Sequence, residues 1–175
     1  MNAIVTGSFD PITLGHIETI KKASAFFEKL YVVALINKDK EYTFTMEQKK
    51  ELMRLCLEGM DNVVIDSYDG LTSDYMHKHS LTKIIRGIRN PEDEKYEKKL
   101  AEAMRGFDPN FDTVFIKPDE KYACISSSLV RDKLAKGESL SGLVSENAIS
   151  EMEKMYKENL ENKKKSQNND GLLQI

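Results

Sequence analysis

The sequence predicts an α/β fold built on one parallel sheet, and three observations carry the prediction. Short apolar runs, several rich in β-branched residues, recur along the chain: Ala3-Ile4-Val5, Leu30–Ile36, Val63–Tyr68, a stretch ending near Ile85, and Thr113–Pro118. Segments with helical apolar spacing lie between them, and this alternation implies parallel strands joined by right-handed crossovers. A polar cluster follows each strand. That places the polar chemistry at strand exits, where sheets of this kind bind ligands.

The first strand runs directly into TGSFDPITLGH, Thr6 to His16, and then into the helical spacing Ile17, Ile20, Ala23, Phe26, Phe27. A strand, a glycine turn and a helix start together make an anion site, because the first N–H groups of a helix are unpaired and its dipole favours negative charge. Gly7 lets a phosphate approach the main chain, Ser8 adds a hydroxyl, and His16 falls in the first helical turn. Leu30–Ile36 has the continuous apolar character of a buried parallel strand. The polar stretch NKDKEYTF follows. Thr45 with Gln48 then forms a capping box that starts a helix through Met53 and Leu57. Val63–Tyr68 is the third strand, followed by a helical pattern around Tyr75 to Lys78. The fourth strand ends near Ile85 with Arg86 and Arg89 at its exit, and a charged helix is expected from about Asp93 to Arg105. Pro118 closes the fifth strand. ISSSLVRDKLAKG reads as a helix with serine caps and a glycine stop at Gly137, and a last helix runs from Ser145 through Ile149, Met152, Met155 and Tyr156 toward Lys163. The expectation is a single Rossmann-like domain over residues 1–160: a five-stranded parallel sheet flanked by helices, with a C-terminal helix. Residues 161–175 are expected to be a polar, disordered tail.

Composition narrows the function. The 175 residues are 40% apolar and 31% charged, ordinary for one globular domain with a full core. A net charge of −3 argues against a general nucleic-acid binder. No apolar run approaches the roughly 18 residues of a membrane span, and the N-terminus enters a strand without the shape of a signal peptide. Cys56 and Cys124 lack metal-ligand spacing and make no disulfide framework. A cytoplasmic protein is expected, with no nucleic acid and no membrane among its partners. His77 and His79, two apart on a helix, are read as surface residues.

Four motifs stand in order: GSFDPITLGHI, KIIRGIRN, the Tyr96-Glu97 pair and ISSSLVR. Together they resemble the phosphopantetheine adenylyltransferases, nucleotidyltransferases with a (Thr/His)-x-Gly-His motif, here Thr13-Leu14-Gly15-His16. The resemblance runs from about Asn2 to Met155. It implies an enzyme that transfers the adenylyl group of ATP to 4′-phosphopantetheine, giving dephospho-CoA and pyrophosphate without a covalent enzyme intermediate. This is the penultimate step of coenzyme A synthesis. Mg²⁺ is implied as the ion that accompanies ATP, together with a homohexamer arranged as a dimer of trimers. Dephospho-CoA and CoA are implied as bound product or inhibitor.

The same resemblance assigns residues. His16, Lys40 and Arg89 match the catalytic positions, with His16 stabilising charge on the α-phosphate. Ser8 matches a contact to both substrates, and Phe9 contributes backbone beside it. Arg86, Lys40 and Thr72 match contacts to phosphopantetheine. Gly87, Ile88, Arg89 and Glu97 match ATP contacts, as do Tyr122, Ala123, Cys124, Ile125, Ser126, Ser127 and Ser128. Read by pattern alone, Lys40 is a solvated loop charge and Thr72 a helix cap. Asp10 is either a loop brace or a ligand contact, and Arg131 either braces its helix or faces phosphate. The chain departs from the family at Glu94, where an aromatic is usual, and at Thr6, where proline commonly precedes the glycine. Two rivals remain. One is a sister nucleotidyltransferase acting on nicotinamide mononucleotide or transferring cytidylyl to an alcohol phosphate. The other is a nucleotide sensor without turnover.

Overall fold

The computed structural model describes residues 1–37 and 40–172. Five strands, β1 (Asn2–Gly7), β2 (Lys29–Leu35), β3 (Val63–Tyr68), β4 (Lys83–Gly87) and β5 (Asp112–Ile116), form one parallel sheet in the order β3-β2-β1-β4-β5. The order reverses beside β1, so the switch point lies at the exits of β1 and β4. A crevice opens there because successive connections leave on opposite faces.

Side chains alternate across the sheet. Ala3, Val5, Leu30, Val32, Ala34 and Ile85 join one core cluster, and Ile4, Val33 and Ile84 join the other with Tyr75, Met76 and Phe111. Helices α1 (Leu14–Ser24), α2 (Met46–Cys56), α6 (Ser127–Lys136) and α7 (Glu146–Leu172) bury Ile20, Leu52, Met53, Val130 and Met152 in the first cluster. Helix α3 (Thr72–Lys78) supplies Tyr75 and Met76 to the second. Both faces of the sheet are therefore covered, as parallel strands require.

The local signals hold in detail. Thr45 Oγ1 accepts from Gln48 N–H at 3.3 Å and Gln48 Oε1 accepts from Thr45 N–H at 2.9 Å, the expected reciprocal cap. Ser126 caps α6, and Gly137 ends it in the left-handed region at φ 67°. Helix α4 (Pro91–Phe107) begins two residues before the expected Asp93. Asn90 caps it by accepting from Asp93 N–H at 2.8 Å, and Pro91 occupies the first turn, where its missing N–H costs nothing. The four-residue helix α5 (Glu120–Ala123) was not anticipated, since one turn has no periodicity to detect. His79 also departs from expectation: it is half-buried, stacked on Tyr75 at 4.2 Å, whereas His77 is exposed. The disordered tail expected over 161–175 is instead helical to Leu172, where α7 ends, and 173–175 lie outside the described residues.

Candidate active site

β1 and β4 deliver their exits side by side, with Val5 paired to Ile85. The turn after β1 leads into α1, whose N-cap is Thr13, so His16 occupies the third helical position. The imidazole Nδ1 accepts from the Thr13 backbone N–H at 3.1 Å. In the neutral ring that bond leaves the proton on Nε2. Burial, and then the Arg89 charge, lower the His16 pKa to about 4, so the ring is neutral near pH 7. Phe9 meets the ring edge-on at 5.2 Å between centroids and is itself held at φ 42°.

The exit of β4 carries Arg86, Gly87 and Arg89. Gly87 packs closely on α1: a Cβ there would stand 3.1 Å from Thr19 Oγ1, a tight contact that Thr19 would have to relieve. Both arginines meet carboxylates of α4 spaced four residues apart, on one helix face. Asp93 accepts from Arg89 Nε at 2.7 Å, from its Nη2 at 3.3 Å and from its backbone N–H at 3.3 Å. Glu97 Oε2 lies 3.3 Å from Arg86 Nε, yet it is buried and makes no hydrogen bond among the described residues. Burial raises the Glu97 pKa against the opposing Arg86 charge. Phe9, His16, Arg86, Gly87, Arg89, Glu97 and Ile125 line a shared cavity of about 190 Å³.

The late segment reaches the same place through α1. Gly15 leaves room for Tyr122 O and Ile125 O, which a Cβ would meet at 3.4 and 3.5 Å. Ser126 Oγ caps α6 by accepting from Leu129 N–H, and Ser127 Oγ donates to Pro11 O at 2.8 Å. Ser128 and Cys124 are exposed. Ser8 is exposed on the turn after β1, and Lys40 is exposed on the loop after β2. Thr72 is the half-buried first residue of α3, with Leu71 as the N-cap. These three stand at the same edge of the sheet, outside the cavity lining.

At two positions the structure shows bracing contacts. Asp10 is a brace: its carboxylate accepts from Thr43 N–H at 2.9 Å and Phe44 N–H at 3.0 Å. Arg131 is also a brace, donating from Nη1 to Asp10 O at 2.7 Å and from Nη2 to Ser128 Oγ at 3.0 Å. Sequence reasoning missed Asp93, although its spacing from Arg89 was visible. It also missed Lys49, which is fully buried. Lys49, Leu52, Met53 and Cys56 follow the apolar helical spacing, which was the available signal.

A family model described as cytidylyltransferase-like matches residues 4–133. A phosphopantetheine adenylyltransferase of Shouchella clausii (strain KSM-K16) is 35% identical over 155 residues, covering 89% of this chain and 98% of that protein. One from Clostridium novyi (strain NT) is 37% identical over 150 residues, covering 86% and 93%. The solved Plasmodium falciparum nicotinic acid mononucleotide adenylyltransferase complexed with NaAD has a TM-score of 0.65 at 18% identity, covering 89% of this chain and 97% of that one; this likeness is one of fold. The chain belongs to the cytidylyltransferase-like family and, within it, to the phosphopantetheine adenylyltransferases.

Proposed function

We propose that this protein transfers the adenylyl group of ATP to the phosphate of 4′-phosphopantetheine, releasing pyrophosphate and forming dephospho-CoA. The observation that carries the reading is the convergence of His16 from the β1 exit with Arg86, Arg89 and Glu97 from the β4 exit and α4 in one cavity at the sheet's switch point. The attacking phosphate is already ionised, so the reaction requires alignment and charge neutralisation and no strong base. His16 fits that need as a neutral donor: its Nε2–H, beside the unpaired N–H groups of α1, stabilises charge gathering on the α-phosphate. Arg89 takes the ATP phosphates, and Arg86 with Lys40 takes the acceptor phosphate, for which planar guanidinium donors are well shaped.

Ser8, Phe9, Gly87, Ile88, Glu97 and the segment Tyr122 to Ser128 complete the nucleotide contacts, and Thr72 contacts the pantetheine arm. Mg²⁺ rides on the ATP phosphates. Among the described residues no three His, Cys, Asp or Glu side chains converge, and Mg²⁺ commonly keeps phosphate and water ligands. No helix of the described residues is long and apolar enough to cross a membrane. A homohexamer accords with α4, which buries no residue of its own and leaves Tyr96 and Phe107 exposed.

Pyrophosphate release from MgATP tests the reading with three acceptors: 4′-phosphopantetheine, nicotinamide mononucleotide and glycerol phosphate. Release with phosphopantetheine alone supports it. Release with another acceptor keeps the superfamily and refutes the acceptor. ATP binding without any release indicates a sensor.

A further inference from the structure

Lys49 is fully buried in the first turn of α2, and its Nζ makes no hydrogen bond among the described residues. A buried ammonium is costly unless its surroundings compensate. Here it touches two groups, and each is a clamp on the loop that carries Lys40. The first is Asp10, 3.7 Å away, whose carboxylate holds Thr43 N–H and Phe44 N–H on the returning stem. The second is the Tyr42 ring, whose centroid lies 3.3 Å below Nζ. Tyr42 Oη accepts from Asn37 N–H at 2.8 Å on the outgoing stem, just past β2. Asn159 of α7 adds a third hold, donating to Thr43 O at 2.9 Å.

We propose that Lys49 is a positioning residue for acceptor binding. By compensating Asp10 and seating Tyr42 together, it fixes both stems of the loop between Asn37 and Thr43 and so sets where Lys40 presents its charge. Asp10 also leads out of the signature turn, and its carbonyl receives Arg131 of α6, so the loop is registered against the turn that precedes His16. Neither a solvated lysine nor an apolar residue at position 49 reproduces this, because the first leaves the site and the second strands the Asp10 carboxylate. The inference rests on the assignment of Lys40 to the acceptor phosphate.

The groups facing Lys49 are Asp10, the Tyr42 ring, and Arg131, which acts at longer range. Lys163 of α7 lines the hollow shared by Tyr42 and Lys49. Burial lowers the Lys49 pKa against the opposing Asp10 charge, so the ammonium is lost at a lower pH than a solvated lysine would need.

The test compares Lys49→Met, Lys49→Arg and wild type in steady-state kinetics and in amide hydrogen exchange. Since a displacement near 1 Å costs up to about a hundredfold, Lys49→Met is expected to raise the KM for 4′-phosphopantetheine about tenfold and to leave the KM for MgATP within about twofold. Its Thr43 and Phe44 amides should exchange faster. Lys49→Arg should restore both and remove the alkaline loss of acceptor affinity expected of the wild type. An unchanged acceptor KM in folded Lys49→Met overturns the proposal, as does an equal rise in both KM values. If Lys49→Met fails to fold, the double variant Asp10→Asn/Lys49→Met removes the stranded charge and is judged by the same criteria. A wild type that shows no turnover with 4′-phosphopantetheine refutes the proposed acceptor instead. The Thr43 and Phe44 amides then decide the brace alone, and unchanged exchange in the variant overturns it.

Discussion

Replacing His16 by alanine separates its chemistry from its stability role, because the two respond differently to pH. In the proposed reaction His16 supplies one preorganised donor, Nε2–H, and losing such a donor costs about 10²–10³ in kcat. Stability moves by another route. At pH 7.5 the substitution removes the bond from Thr13 N–H to Nδ1, a capping interaction worth about 1 kcal/mol. Below pH 6.5 a second effect opposes the first. The folded pKa, about 4, lies below the ordinary histidine value of 6.5, so the unfolded chain binds a proton that the folded protein refuses. Wild-type stability is therefore fully present above 6.5 and falls by about 1.4 kcal/mol per pH unit until the folded pKa is reached, at most about 3 kcal/mol in all. The ring lines an open cavity, which makes that figure an upper bound. The alanine variant carries no such penalty. It should be less stable than wild type at pH 7.5 and more stable below about pH 5. Urea denaturation at pH 4.5, 5.5, 6.5 and 7.5 measures the crossing, and pyrophosphate release at pH 7.5 measures kcat. A stability difference independent of pH would refute the neutral, half-buried imidazole. Unchanged kcat would refute its role as donor.

Three further outcomes are expected. Glu97→Gln should raise the thermal midpoint at pH 7.5 while weakening ATP binding. The raised pKa means that stability is fully present below the ordinary carboxylate pKa and lost as pH rises through the folded value, so the advantage of glutamine should shrink toward pH 4; a lowered midpoint at pH 7.5 contradicts this. Gly87→Ala drives a Cβ to 3.1 Å from Thr19 Oγ1, which itself donates to Gly15 O at the start of α1. A cost of about 1–3 kcal/mol is expected in chemical denaturation, recovered in part when Thr19→Ala is added. Asp93→Asn loosens the hold on Arg89, a half-exposed pair worth about 1 kcal/mol, so the KM for ATP should rise roughly fivefold with the acceptor KM unchanged.

The boundary between what was legible and what was not follows the range of the interactions. Caps at Thr45, Ser126 and Gly137 were readable because a cap is made within about four residues of its partner. The strand runs were readable because burial on both faces demands continuous apolar residues. The signature Thr6 to His16 and the pair Arg86, Arg89 were readable as site candidates because each follows a strand directly. Helix α4 began earlier than expected because Pro91 was not weighed as an N-terminal residue, and Asp93 was taken as a helix start when it is also the partner of Arg89.

The sequence by itself determined the alternation of strands and helices, the helix ends and the residue types available to meet a phosphate, since all of these are set by local propensity and spacing. Only the tertiary structure decided that β1 and β4 lie side by side, which brings Arg86 and Glu97 into the cavity with His16. It also decided that Asp10 serves Thr43, Phe44 and Lys49, and that Arg131 turns back onto Asp10 O. The neutral state of His16 was decided there too. Charge state depends on burial and on the distance to other charges, and neither quantity exists until distant segments of the chain have packed together.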